Sequence, residues 1–298
     1  MLRFTSRREV ADDRQAVEKV LAALLPAATT HPARLHEAMH YALFAGGKRL
    51  RPLLVLAACR ACDGEDRQAL ATAAAIEMIH TYSLVHDDLP AMDDDSLRRG
   101  QATTHVVYGE GMAILVGDAL LTRAAEILCG SATADGLDPV PPAAAALLIG
   151  AAGSTGMIGG QALDLASEGL QLPLGQLEDL HRRKTGALIH ASLLAGGHCA
   201  GGSASQLDAL GRCGTALGLA FQIVDDILDV TGKPGELGKS SGKDERAGKS
   251  TFPALMGLEA SRRRAVELAT ESRDALAALG TAADPVRDLV SRATERIS

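Results

Sequence analysis

Tryptophan is absent from the 298-residue sequence, and aromatic residues of all kinds make up only 2% of it. The core therefore has few rings to build on and must come from Ala, Leu, Ile, Val and Met. Ala and Leu are strong helix formers, so the shortage favours an all-α fold. Strand-like alternation of any length is missing too, which points the same way. No run reaches the ~18 consecutive apolar residues of a membrane span, so none is expected. A basic excess is lacking as well, because the formal net charge is -7. Nucleic-acid binding needs a concentrated basic surface, and that class is set aside. Cys59 and Cys62 form a lone CxxC with no second pair and no nearby His, so they read as core thiols on a helix. The odd total of five cysteines and the short, mixed-charge stretch Met1 to Val10 point to a reducing cytoplasm.

What is present is a large apolar fraction, 47% of residues, arranged with helical spacing. Helices are expected at 12–25, from about 35 to 45, and at 53–62, 67–89, 104–129, 143–167, 176–196, 204–230, 252–278 and 283–297. Gly46 and Gly47 stop the second of these and let the backbone approach a ligand closely. Pro52 suits the first turn of the third. Pro90 ends or kinks the fourth, because it has no N–H to donate. Residues 93–103 read as a loop, Gly130 to Pro142 as a surface connection, and Gly232 to Gly248 as a Gly- and Lys-rich loop. The connection at 130–142 is not read as a domain boundary, since each half of the chain carries half of the apparent site.

That site begins at Ser83-Leu84-Val85-His86-Asp87-Asp88-Leu89-Pro90-Ala91-Met92-Asp93-Asp94-Asp95, which puts five carboxylates within nine residues. A second acidic stretch, Gln222-Ile223-Val224-Asp225-Asp226-Ile227-Leu228-Asp229, lies in the same apolar setting. Asp225 and Asp229 share a helix face, and Asp226 sits about 100° round. Asp87 and Asp93 are six apart, and the break at Pro90 is expected to bring them together. Converging carboxylates ~4 Å apart repel by roughly 1–4 kcal/mol per pair, so they call for cations. Oxygen-only ligands suit Mg²⁺, which completes its shell with water and substrate phosphates. The expected metal ligands are Asp87, Asp88, Asp93, Asp225, Asp226 and Asp229. The basic residues supply matching anion sites: Lys48 and Arg51 beside Gly47, Arg98 and Arg99 after the first cluster, Lys184-Thr185, and Lys239, Lys243 and Lys249 after the second. One anion would be metal-bridged. The other would be metal-free and held by Lys48, Arg51, Arg99 and His80.

These motifs resemble the short-chain trans-isoprenyl diphosphate synthases, most of all the bacterial farnesyl diphosphate synthases. The likeness runs over about 35–260. It is carried by Gly46-Gly47-Lys48-Arg49-Leu50-Arg51-Pro52, the first acidic stretch with Leu97-Arg98-Arg99-Gly100, Gly160-Gln161-Ala162-Leu163-Asp164, Lys184-Thr185-Gly186, and Phe221-Gln222 with the second acidic stretch. Lys239 and Gly248-Lys249-Ser250-Thr251 also fit. The resemblance implies a single-domain helical bundle spanning 1–298 around a deep central cavity, usually as a homodimer. It implies two Mg²⁺ on Asp87, Asp88 and Asp93, and a third led by Asp225. Arg98, Lys184 and Lys239 would contact an allylic diphosphate, with Lys249 close by. Lys48, Arg51, His80 and Arg99 would hold isopentenyl diphosphate. Thr185, Gln222 and Gln161 would turn oxygens to a developing allylic cation.

The activity so implied is condensation of isopentenyl diphosphate with dimethylallyl and geranyl diphosphate to give farnesyl diphosphate. Product length would be set by Tyr82 and Ser83. Tyr82 lies roughly 7 Å from Asp87 along the helix and would floor the cavity at about fifteen carbons. Geranylgeranyl or geranyl diphosphate is the alternative product. A terpene cyclase would not need the Lys48 and Arg51 group. A non-catalytic partner subunit tends to lose one acidic motif, and both are intact here.

Overall fold

A computed structural model describes residues 7–231 and 249–294. The chain runs through α1 (Arg7–Leu24), α2 (Ala33–Phe44), α3 (Leu50–Ala61) and α4 (Asp66–Asp87). A two-stranded hairpin follows, β1 (Leu97–Arg98) against β2 (Gln101–Ala102). Then come α5 (Thr104–Tyr108), α6 (Glu110–Leu128), α7 (Pro142–Ala152), α8 (Met157–Ala166) and α9 (Leu174–His181). A single π-helical turn, Arg182–Gly186, joins α9 to α10 (Ala187–Cys199). The remainder is α11 (Ala204–Thr231), α12 (Phe252–Met256), α13 (Leu258–Asp274), a 3₁₀ segment (Ala277–Ala283) and α14 (Asp284–Thr294). The expected all-α class holds.

The central member is α4. A capping box starts it: the Glu65 side chain takes the backbone N–H of Gln68, and the Gln68 side chain takes that of Glu65. It is apolar on nearly every side, from Ala69 through Val85, as a helix surrounded by others must be. Ala73, Ala74, Ile76, Met78 and Ile79 are fully buried against α1, α2, α3, α6, α7 and α10. Small residues let the helices close in. A Cβ on Gly196 of α10 would meet the Val55 carbonyl of α3 at 2.2 Å, too near for any side chain. A second core lies between α3, α10, α11 and α14, and a third between α9, α11, α12 and α13.

Four expected helices are interrupted, and each break has a local cause. Gly109 (φ 90°) separates α5 from α6, and Gly257 (φ 81°) separates α12 from α13. Both lie in the left-handed region that only glycine enters cheaply. Gly153 to Gly156 parts α7 from α8. The π turn interrupts 176–196, a change of hydrogen-bond register that leaves no mark on apolar spacing. The 93–103 segment contains the short hairpin rather than only loop. Arg99 (φ 54°) and Gly100 (φ 79°) form its turn, the geometry that suits the strand twist.

Residues 142–166 are apolar and long enough to cross a membrane by length and composition. The break at 153–156 divides them, and the far half carries Gln161 and Asp164, whose side chains bond to Asp87 and Lys184. One side of that stretch therefore faces the polar site. The five cysteines are free, and all but Cys129 are buried. Burial pushes the Cys59 thiol up to about 12, which suits an inert core thiol.

Candidate active site

The end of α4 folds back on itself. The Asp93 N–H donates to the Asp87 carbonyl at 2.8 Å, the Asp94 N–H to Leu89, and the Asp95 N–H to Asp88. Pro90 sits in this turn, so the expected break does bring Asp93 back beside Asp87. Asp87 is buried and accepts from Gln161 Nε2 at 2.8 Å. Burial pushes its carboxyl up; Lys184 opposes that and Asp93 adds to it. Asp88 is gripped by Arg98, Nε to Oδ1 at 2.7 Å, and the same guanidinium reaches Asp95 at 3.6 Å.

A chain of ion pairs extends from there. Lys249 Nζ lies 2.9 Å from Asp93 Oδ1 and 3.1 Å from Asp164 Oδ2. Lys184 Nζ reaches the same Asp164 oxygen at 2.6 Å. Burial works to raise Asp93 and Asp164, but the two lysines outweigh it and hold both carboxyls below their usual range. The neighbours of Lys184 are positioned by close backbone packing. A Cβ on Gly160 would strike the Lys184 backbone nitrogen at 2.3 Å, and one on Gly218 would strike Gly186 Cα at 2.7 Å. Glycine at these positions lets α8 and α11 close on the π turn.

The second acidic stretch connects through that turn. Thr185 Oγ1 donates to Gln222 Oε1 at 2.9 Å, and Gln222 Nε2 donates to Asp226 Oδ1 at 2.9 Å. Asp226 Oδ2 accepts the Phe252 N–H at 3.0 Å. Asp226 is thus buried and ties α11 to the start of α12, whereas Asp225 is exposed and Asp229 half-buried. The expectation of Asp225, Asp226 and Asp229 as cation ligands therefore divides. Asp225 lies about 4.5 Å along the axis from Gln222, one turn from the Thr185 contact. Among the described residues no three His, Cys, Asp or Glu side chains already converge as a cation cage. Arg98, Lys184 and Lys249 instead pair with Asp88, Asp164 and Asp93.

A basic group gathers around His80, made of Arg51, Arg99, Arg98 and Arg49. Arg51 is buried, and its Nε has no protein partner. Burial lowers it to about 10, with Glu77 and Arg99 acting in opposite directions. Arg99 is aimed by the hairpin turn to donate to the Gly46 carbonyl. Its guanidinium lies where a Cβ on Gly47 would be, and the positive φ of Gly47 (121°) favours glycine there. Lys48 is exposed. Burial, then Arg51 and Arg99, hold His80 well below the ordinary imidazole value. It is therefore neutral at pH 7. Arg49, Asp94 and Arg99 adopt left-handed backbone conformations, and strain of this kind concentrates at functional sites.

Three contributors were not singled out from the sequence as site residues. Glu77 and Arg49 form a buried pair at 2.7 Å, and Asp164 joins the two lysines. Glu77 lies three residues before His80, and Asp164 three after Gln161. Shared helix faces were the available signal. Tyr82 is buried with its ring edge-on to His86, whose Nε2 lies 3.1 Å from the Ile114 carbonyl of α6. Ser83 donates to the His80 carbonyl. Lys239 and Lys243 lie outside the described residues.

A helical bundle with paired acidic and basic groups at the end of one central helix is the isoprenoid synthase architecture. The polyprenyl synthetase model matches residues 32–281. The chain belongs to that family, the trans-prenyltransferases. It is 47% identical over 283 residues to heterodimeric geranylgeranyl pyrophosphate synthase large subunit 1 of Arabidopsis thaliana, covering 94% of this chain and 75% of that one. It is 49% identical over 241 residues to farnesyl diphosphate synthase of Escherichia coli (strain K12), covering 80% and 81%. Among solved structures, geranyltransferase of Helicobacter pylori, complexed with magnesium and isoprenyl diphosphate, superposes with a TM-score of 0.82 at 35% identity. The match covers 97% of this chain and 99% of that one.

Proposed function

We propose that the protein makes farnesyl diphosphate, joining isopentenyl diphosphate first to dimethylallyl and then to geranyl diphosphate. The observation that carries this reading is the presence of two differently charged groups. One is Asp87, Asp93 and Asp164 with Lys184 and Lys249. The other is Arg51 and Arg99, with the neutral His80. Two diphosphates need two such places, one able to take metal and one not.

Carboxylates alone, partly desolvated, fit a hard cation. Asp87 supports that fit, since burial and Asp93 both disfavour its charge until a cation arrives. Asp87, Asp88 and Asp93 would hold Mg²⁺ from α4. Asp225 would do so from α11, with Asp229 beside it and Asp226 bracing it. When bound, Mg²⁺ would neutralise the departing diphosphate. Lys184, Lys249, Arg98 and Lys239 would grip that group as the allylic C–O bond breaks. Thr185 and Gln222, already hydrogen-bonded to each other, would present oxygens to the allylic cation. Arg51, Arg99, Lys48 and His80 would hold isopentenyl diphosphate so that its double bond attacks that cation. The proton then leaves to the released diphosphate.

Tyr82 supports a fifteen-carbon limit because its ring is buried on α4 about one turn before Asp87, edge-on to His86. The geranylgeranyl names among relatives favour a twenty-carbon product as the second reading. We take 1–298 as one polyprenyl synthase domain working in the cytoplasm as a homodimer. Incubating the purified chain with dimethylallyl and isopentenyl diphosphates and Mg²⁺, then sizing the dephosphorylated alcohols, tests the reading. Farnesol is expected. Geranylgeraniol would transfer the assignment to the second reading, and no turnover would sink both.

A further inference from the structure

The function proposed above gives Lys249 to the diphosphate, yet in the structure its ammonium is already engaged. It bridges Asp93 and Asp164 at 2.9 and 3.1 Å, and Lys184 shares the Asp164 oxygen. The position is enforced by the backbone around it. Ser250 Oγ accepts the Leu172 N–H and donates to the Leu170 carbonyl. Thr251 caps α12 through the Ala254 N–H, and the Phe252 N–H is held by Asp226. Residues 250–252 are thus pinned both to the segment after α8 and to α11, and Lys249 is delivered onto the carboxylates from that anchored strip.

We propose that Lys249 is a built-in counter-ion of the site. Its ammonium bridges Asp93 and Asp164, and a divalent cation binds the first acidic cluster only as Lys249 gives way. This rests on the reading of Asp87 and Asp93 as cation ligands.

The charges make the two occupants exclusive. An ammonium and a divalent cation on the same Asp93 oxygens would repel at close range in a partly desolvated setting. Lys249 Nζ lies 2.9 Å from Asp93 Oδ1 and 3.1 Å from Asp164 Oδ2, so its ammonium already takes the place of a cation on those oxygens. Metal affinity in the free protein is therefore reduced by the fraction of molecules in which Lys249 is already displaced. A diphosphate changes the balance, because it offers Lys249 another set of oxygens. Metal and diphosphate then favour each other's binding through this one side chain, and the coupling is reciprocal. The consequence is a site whose carboxylates are partly compensated by Lys249 and that fills with metal and substrate together.

The test is Mn²⁺ binding to the substrate-free full-length protein, with free Mn²⁺ read by electron paramagnetic resonance. Thermal melts in chelator and in excess Mg²⁺ run alongside. Lys249→Gln is expected to bind Mn²⁺ about ten-fold tighter than the parent protein. It should melt lower in chelator and gain more from Mg²⁺. Lys249→Arg keeps the charge and should bind no tighter than the parent. Lys249→Met repeats the neutralisation with a different shape, should Gln compromise folding. Equal or weaker Mn²⁺ binding by both neutral variants would overturn the counter-ion role while leaving the cation site standing. Absence of saturable Mn²⁺ binding in every variant, with no change on Asp93→Asn, would overturn the cation reading and this proposal with it.

Discussion

Single residues set the electrostatics of this site, and Glu77 is the least visible of them. Its carboxylate pairs with Arg49 at 2.7 Å, and both side chains are essentially inaccessible to water. Breaking one partner of a buried pair costs more than the pair is worth, because the other charge remains desolvated. Glu77→Gln is expected to lower unfolding free energy by about 3 kcal/mol in a denaturant titration. His181 makes a different prediction. Its ring is buried on Phe252 with neither nitrogen partnered in the protein, and burial lowers it to about 4. The unfolded chain takes this proton near pH 6.5 and the native state does not. The contribution of His181 is therefore complete above that value and lost as pH falls towards 4. Between pH 7 and 5 the loss is about 2 kcal/mol, and His80 acts in the same direction. His181→Phe should flatten the acid limb in urea melts at the two pH values. An unchanged slope would remove His181 as its source. Tyr82→Ala should lengthen the product, read by chromatography of the alcohols. The same fifteen-carbon product would show that another side chain sets the depth.

At the scale of elements, the joint between the π turn and α11 matters most. Gly218 faces Gly186 closely enough that a Cβ would lie 2.7 Å from its Cα. Gly218→Ala is expected to push α11 outward, stretch the Thr185–Gln222 bond and lower kcat about ten-fold, with about 1–3 kcal/mol lost in stability. Gly211→Ala on the same helix meets only ordinary contact at 3.5 Å. It should be neutral or gain up to about 1 kcal/mol from helix propensity. Similar kinetics in the two variants would show that the close approach is not what positions Thr185. The acidic turn was legible in advance, because Pro90 dictates a break. The π turn was not, because the apolar spacing on both sides of it is that of one helix. The breaks at Gly109 and Gly257 were readable in principle from glycine alone. Helical spacing continues across them, so the pattern favoured unbroken helices.

At the scale of the whole molecule, the surface left open is informative. Val106 of α5, Ile114 and Leu115 of α6, and Ile149 of α7 are large apolar side chains roughly half exposed. A second copy of the chain covering this face is the arrangement we propose. Leu115→Arg is therefore expected to convert the dimer to monomer in analytical ultracentrifugation. A parent protein that sediments as a monomer would refute it. The helical class, the acidic and basic motifs and the family were decided by the sequence alone. Composition, spacing and short motifs are local properties of the chain. Which carboxylates stand ready and which are structurally engaged was decided only by tertiary structure. Asp226 and Asp225 are neighbours in sequence, but a helix turns them about 100° apart, one onto the Phe252 amide and the other outward. Likewise the neutrality of His80 and the capture of Lys249 by Asp93 and Asp164 follow from burial and from partners distant in sequence. No reading of neighbouring residues contains them.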